Sequence, residues 1–305
     1  MHPAVSVIFF TVTSGAGFGL MFLIGLGWPM PQGGLGVFIA LALAGALAVA
    51  GLVSSTFHLG HPERAWRAVS QWRSSWLSRE GVLAIITLML FGVYAFLWFF
   101  FDIRSTALGL FMSVGSVATV FATAMIYAQL KTIPMWQTWL TPACYLAFSL
   151  TLGLVLAGML SGNGVVGGLP TALWASLSIV LAWVLKMMWW NRAGSIGFST
   201  TGSSVGSATG LGSIGDVKLF ERPHTGENYL TREMVHQIGR KHANKLRLIA
   251  VGLGALLPVL LMLLAATGVV PTLFLALAAM SLLAGLFAER WLFFAEAKHA
   301  VSLYY

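Results

Sequence analysis

Residues 58–80, HLGHPERAWRAVSQWRSSWLSRE, hold two histidines, two glutamates and four arginines in a chain of which only 9% of residues are charged. His58 closes one long apolar run and Glu80 opens the next, so a hairpin between the two runs brings them to the same end of the molecule. An imidazole titrates near neutrality, and a partly desolvated carboxyl is shifted toward it. Both therefore serve as general acids or bases. The chemistry that suits such a pair beside a membrane is quinone redox, in which two protons travel with two electrons. Each residue also has a simpler role. A glutamate at a helix N-terminus is favoured by the helix dipole alone, and a histidine at a membrane edge hydrogen-bonds backbone. His61 and Pro62 shape the turn. Arg64 and Arg67 pair with Glu63, bind phospholipid or hold a partner protein, and Arg64 also counts among the quinone-site candidates.

A second constellation is YAQLKTIPMWQTWLTP, residues 127–142. Pro134 ends one element, and Pro142 suits the first turn of the next. Tyr127, Trp136 and Trp139 offer aromatic faces on which a quinone ring stacks; the simpler role is anchoring at the membrane interface. No metal site is expected. The single cysteine, Cys144, excludes an intrachain disulfide, an iron–sulfur cluster and a cysteine-rich zinc site held by this chain alone. A membrane b-type haem needs two histidines in facing spans, and only His58 is suitably placed, so no haem is expected.

These residues must be positioned by a membrane domain. The 305 residues are 58% hydrophobic with a mean hydropathy of +0.86, whereas soluble domains carry about 25% charged residues. A helical span needs roughly 20 apolar residues. Eight spans fit, at about 6–28, 36–57, 82–101, 107–129, 140–160, 170–189, 247–268 and 272–294. The runs are continuous and too long for alternating β-barrel strands. The expected fold is all-α, a polytopic bundle of eight transmembrane helices forming one integral membrane domain over 1–305. The N-terminal run has no basic leader or cleavage site and reads as a retained helix. Pro258 should kink the seventh span.

Residues 190–246 form a long insert between helices 6 and 7. Its Gly/Ser-rich part, 194–215, reads as an irregular linker, and 231–245 as a polar helix capped by Thr231. Lys and Arg concentrate in the 58–81 loop, Lys131, the insert and the C-terminal tail. Cytoplasmic loops carry that excess, which places both termini, the 58–81 loop and the insert in the cytoplasm. The net charge of +8 is this bias and calls for no nucleic acid; it suits anionic lipid headgroups. A transporter would show charge near mid-span. Lys186 and Glu289 lie toward the cytoplasmic ends, which argues against one.

The sequence resembles the membrane anchor subunits of dimethyl sulfoxide reductase-type molybdoenzymes. The pieces that carry the likeness are FHLGHPERAWRA (57–68), LSREGVL (77–83) and KTIPMWQTWLTP (131–142), and the eight-span plan agrees over nearly the whole chain. The resemblance implies a non-molybdenum subunit of an oxidoreductase complex in a bacterial inner membrane. Such an anchor has no redox centre of its own and binds quinone, either ubiquinone or menaquinone. It sits beside an iron–sulfur subunit that exchanges electrons with a molybdopterin subunit. Iron–sulfur clusters and molybdopterin then reside in partners only, the former docked on the cytoplasmic face. The family's quinone-site His falls on His58, and its Glu on Glu80. The cytoplasmic placement and the insert containing ERPHTGENYL depart from the reductase pattern. They look more like the anchor of cytoplasmic membrane-bound sulfite dehydrogenases (sulfite:quinone oxidoreductases). Two alternatives stay open: a quinol-oxidising anchor of an S- or N-oxide reductase, and a purely structural anchor.

Overall fold

The computed structural model describes residues 4–31, 33–57, 59–161, 165–166, 169–198, 202–218, 220–221, 226 and 242–303. Eight helices in it are long and apolar enough to cross a membrane: α1 (Val5–Gly25), α2 (Gly33–Thr56), α3 (Trp76–Phe101), α4 (Thr106–Ala128), α5 (Leu140–Leu160), α6 (Thr171–Ser195), α7 (Ala243–Ala266) and α8 (Pro271–Ala295). The chain is thus a multi-pass membrane protein. In hydrocarbon every backbone polar group must be satisfied within its own segment, and these uninterrupted apolar runs do so as helices. Their ends are set by polar residues. The side chains of Ser75 and Ser105 accept from the backbone N–H of Ser78 and Leu108 at the starts of α3 and α4. Asp102, in left-handed geometry at φ 55°, closes α3.

The central helix is α1, buried from Phe10 through Met21. It packs against α2, α4, α5 and α8. Small residues allow the approach: a Cβ added at Gly19 would stand 2.0 Å from the Ser149 carbonyl oxygen of α5. Carbonyls of α1 accept from neighbouring hydroxyls, Gly15 O from Ser149 at 2.6 Å, Phe22 O from Ser113 at 2.8 Å and Ile24 O from Tyr94 at 3.3 Å. Interhelical bonds of this kind contribute about 0.6 kcal/mol each in a bilayer. Around this centre α3 packs on α4, α5 on α6, and α8 on α5 and α7. The outward faces of α2, α3 and α4 carry exposed Phe38, Phe100 and Phe111. In water that surface would be an aggregation hazard; in a bilayer it is the lipid face.

Just before Pro258 the seventh span takes a wider turn. The proline has no N–H to offer the carbonyl four residues back, and α7 opens into a π-helical segment at Gly252–Leu256 just before it. The Gly254 carbonyl accepts instead from the Trp183 indole of α6 at 2.7 Å. Between α5 and α6, Val165–Val166 and Leu169–Pro170 pair as a minimal antiparallel ladder. In the insert, a five-residue helix, Val205–Thr209, is closed by a reciprocal Ser204–Ser207 capping box. The polar helix expected at 231–245 falls mostly outside the described residues; from Ala243 onward it belongs to α7.

Candidate functional site

Helix α3 begins at Trp76, six residues earlier than the hydropathy pattern indicates, because Ser75 caps it there. Glu80 is therefore not at the rim but on the second turn, where it faces α4 and is only 4% exposed. The Thr123 hydroxyl on α4 hydrogen-bonds Glu80 Oε1 and also lies 3.0 Å from the Thr119 carbonyl. Deeper along the same seam, Thr87 and Thr119 meet at 3.4 Å. The α3–α4 contact is thus a polar ladder with a carboxyl group at its outer end.

His58 lies outside the described residues. Its neighbours Phe57 and Leu59 are exposed, just past the end of α2 at Thr56. The 3-10 turn Pro62–Val69 has no buried residue. His61 Nδ1 lies 3.0 Å from Glu63 Oε1, and Arg64 Nε lies 3.7 Å from the same atom. Exposed pairs of this kind are worth at most about 1 kcal/mol. Arg79 is the structural arginine of the loop: its guanidinium donates to Arg73 O at 2.7 Å and Trp72 O at 3.1 Å. Trp66, Trp72 and Trp76 each lie under an arginine, Arg67, Arg73 and Arg79 respectively.

Tyr127 stands one turn beyond Thr123 on the same face of α4 and is buried. Its ring stacks on Tyr145 of α5 at 6.0 Å and meets the Trp136 ring edge-on at 5.3 Å. Trp136 differs from the expectation of an open aromatic face. It is 2% exposed, lies flat on Phe293 at 5.0 Å, and its indole donates to Phe293 O at 2.9 Å. The reason is that the 129–139 loop folds inward beneath the end of α8. Arg192 donates to Gln137 O at 2.9 Å, Thr141 to Trp136 O at 2.8 Å, and the Ala300 amide to Thr132 O at 2.8 Å. Trp98, Trp189 and Trp190 are buried too, whereas Trp139 is 65% exposed, as an anchor should be.

Sequence reasoning places Lys186 and Glu289 separately near helix ends. The structure brings them together with Arg290 inside the bundle. Lys186 Nζ lies 2.5 Å from Glu289 Oε1, and Arg290 Nε lies 2.5 Å from Glu289 Oε2; all three side chains are nearly inaccessible. Arg290 covers the Tyr145 ring at 4.1 Å, and Lys186 covers Trp189 at 3.8 Å. Nearer the end of the bundle, Arg247 pairs with Glu296 at 2.7 Å. Burial pushes the Glu296 carboxyl up, against the pull of Arg247. The available signal is the Glu289–Arg290 doublet, two adjacent charges in an apolar span.

Set beside known proteins, the chain matches over residues 1–295 the sequence model of a family described as DMSO reductase anchor subunit (DmsC). It is 33% identical over 329 residues to a sulfite dehydrogenase subunit of Allochromatium vinosum, covering 100% of this chain and 99% of that protein. No solved structure matches it.

Proposed function

Because the chain belongs to the DMSO reductase anchor subunit family, and so is a membrane anchor of a molybdoenzyme complex, we propose that it also supplies the complex's quinone site. In this reading an iron–sulfur partner docks on the end of the bundle formed by residues 59–75, 129–139 and 190–198, and electrons pass between it and the quinone pool. The end in question faces the cytoplasm of a bacterium, as the basic loops indicate, with both termini on that side. The name of the A. vinosum relative supports sulfite, oxidised to sulfate on the molybdopterin partner, as the electron source.

The observation that carries the proposal is Glu80. Quinone supplies a carrier of two electrons and two protons. The chain's part is to hold and move the protons, and a buried carboxyl bonded to a hydroxyl is built for that. When Glu80 is ionised, the Thr123 hydroxyl donates to it. When Glu80 carries the proton, its O–H donates to Thr123 Oγ1, and the threonine proton turns to the Thr119 carbonyl at 3.0 Å. Both protonation states are therefore satisfied without moving a helix. His58, at the other end of the loop, is the second proton-exchanging group. Tyr127, backed by Trp136, forms an aromatic wall beside the site, and Arg64 offers an exposed guanidinium face at the loop surface.

The test uses the assembled complex. Glu80→Gln and His58→Ala each should abolish sulfite-dependent quinone reduction while sulfite-dependent reduction of an artificial dye by the soluble partners survives. Full quinone turnover in both variants would reject the site. The family's name favours a second reading, quinol oxidation feeding an S- or N-oxide reductase. Quinol-dependent dimethyl sulfoxide reduction by the complex, with no sulfite activity, would select it.

A further inference from the structure

Helices α6 and α7 lie together along only part of their length. α6 packs against the π-helical turn of α7 and the half that follows Pro258, whereas the first half, Ala243–Val251, leans on α8. The backbones of α7 and α8 touch at the turn: a Cβ added at Gly285 would stand 2.2 Å from the Gly254 amide nitrogen. Between the turn and the end that carries residues 190–198, α6 and α7 therefore part.

The gap is a groove of about 460 Å³, within the size range of small-molecule sites. Trp183, Val184 and Met188 line it from α6, and Leu256 and Val259 from α7. The Trp183 indole already donates to Gly254 O at 2.7 Å, so no lining side chain has a polar group to spare. Val184 and Leu256 are 50% and 69% exposed, so the groove opens on the lipid face. On α6 its lining runs from Ile179 to Met188, about 15 Å of helix. That is half of a hydrocarbon core of roughly 30 Å, the reach of one acyl chain in one leaflet.

Above the groove the surface turns polar and basic. Asn191, three residues beyond Met188 on α6, is exposed. On α7, His242, Lys245 and Ile249 follow one another at helical spacing and are all exposed. Arg247 lies over the Trp190 ring at 5.3 Å, which sets Lys245 level with Asn191. Arg192 and Arg247 are held by Gln137 O and Glu296. Lys245 has no hydrogen bond or ion pair among the described residues. No acidic residue occurs in 171–198 or 242–266, so nothing on these two helices neutralises the rim.

We propose that this groove is a binding site for one anionic phospholipid, its acyl chain between α6 and α7 and its phosphate at Lys245 and Asn191. Basic pockets between spans bind acidic headgroups in this way. A quinone fits less well: the groove offers its oxygens no donor, and α6 and α7 pack on α5, α8 and each other, away from the α3–α4 seam that carries Glu80. A second copy fits less well too, since a two-fold contact brings the same basic rim to both sides. The inference is independent of the reading of Glu80.

The test is native mass spectrometry of the whole complex in detergent, titrated with dioleoylphosphatidylglycerol or dioleoylphosphatidylcholine. The parent should retain one phosphatidylglycerol and prefer it about fivefold, the scale of one lysine beside an anionic headgroup. Lys245→Gln, a change to an exposed side chain, should bring the preference close to one and leave phosphatidylcholine binding as it was. Val184→Trp, which fills the groove, should weaken both lipids about tenfold. Val114→Trp, on the lipid face of α4 at 69% exposure, should change neither. The proposal is overturned if the parent shows no preference, if Lys245→Gln keeps it, if Val184→Trp binds like the parent, or if a second copy of the chain appears in place of the lipid.

Discussion

Replacing Glu289 by glutamine tests whether the buried charge cluster holds the bundle together. The carboxylate touches Lys186 Nζ and Arg290 Nε, each at 2.5 Å, and none of the three side chains is more than 5% exposed. At an effective dielectric of about 20, opposite charges near 4 Å attract by about 4 kcal/mol. Part of that is offset by desolvation, and breaking one buried pair costs about 3–5 kcal/mol in practice. Glu289→Gln strands two cations at once, so the upper end applies, about 5 kcal/mol. Large domains lose roughly 2–4 °C of Tm per kcal/mol, which predicts a fall of roughly 10–20 °C. The assay is thermal unfolding of the complex in lipid nanodiscs, followed by the fluorescence of the buried tryptophans. The triple variant Lys186→Met/Glu289→Met/Arg290→Met should recover most of the parent stability, because apolar isosteres commonly replace a buried ionic group without loss. A Glu289→Gln variant that loses less than about 1 kcal/mol would refute the reasoning, since two buried cations would then not need this carboxylate.

Trp136→Ala should destabilise the chain by about 3–5 kcal/mol, the usual cost of emptying a packed tryptophan site, while Trp139→Ala should stay within about 0.5 kcal/mol; equal effects in the same unfolding assay would contradict the inward fold of the 129–139 loop. At the C-terminal tail, the Val301 amide donates to His299 Nδ1 at 3.0 Å, and burial holds the His299 imidazole below its usual range. The unfolded tail therefore binds the proton more tightly than the folded one. Stability from this turn is present above about pH 6.5 and is lost as pH falls through the lowered value. Deuterium exchange at Val301, referred to its intrinsic rate, should accelerate over that window; a flat protection factor would count against it.

The eight spans were legible because the bilayer imposes a length and forbids unpaired backbone, and a hydropathy pattern reports both. The ends were less so. α3 starts at Trp76 rather than at 82, since the serine cap and not the first apolar residue decides where a helix begins. α6 likewise runs on past Trp189 through Asn191 and Arg192 to Ser195. Glu80 could be named from its residue type and place. Its burial could not, because that depends on Thr119 and Thr123, four residues apart on a different helix. Trp136 and Trp139 both read as interface anchors by position alone. Which of them turns inward is set by the hydrogen bonds that draw the 129–139 loop under α8, and no local pattern encodes those. Lys186 and Glu289 were visible singly; their meeting depends on α6 and α8 each packing against α5 and α7, a long-range fact.

That meeting bears on how the protein is made. Lys186 enters the membrane with the sixth helix, yet the carboxylate that answers it is carried by the eighth, which is synthesised later. Until α8 arrives, the amine has no anion, and the first helix, already in place, has no α8 to close over it. A chain cut short after α7 thus keeps an unmatched charge in the bilayer and an open seam along its oldest helix. The ion pair thus makes burial of Lys186 conditional on α8: the amine is compensated only once Glu289 is in place.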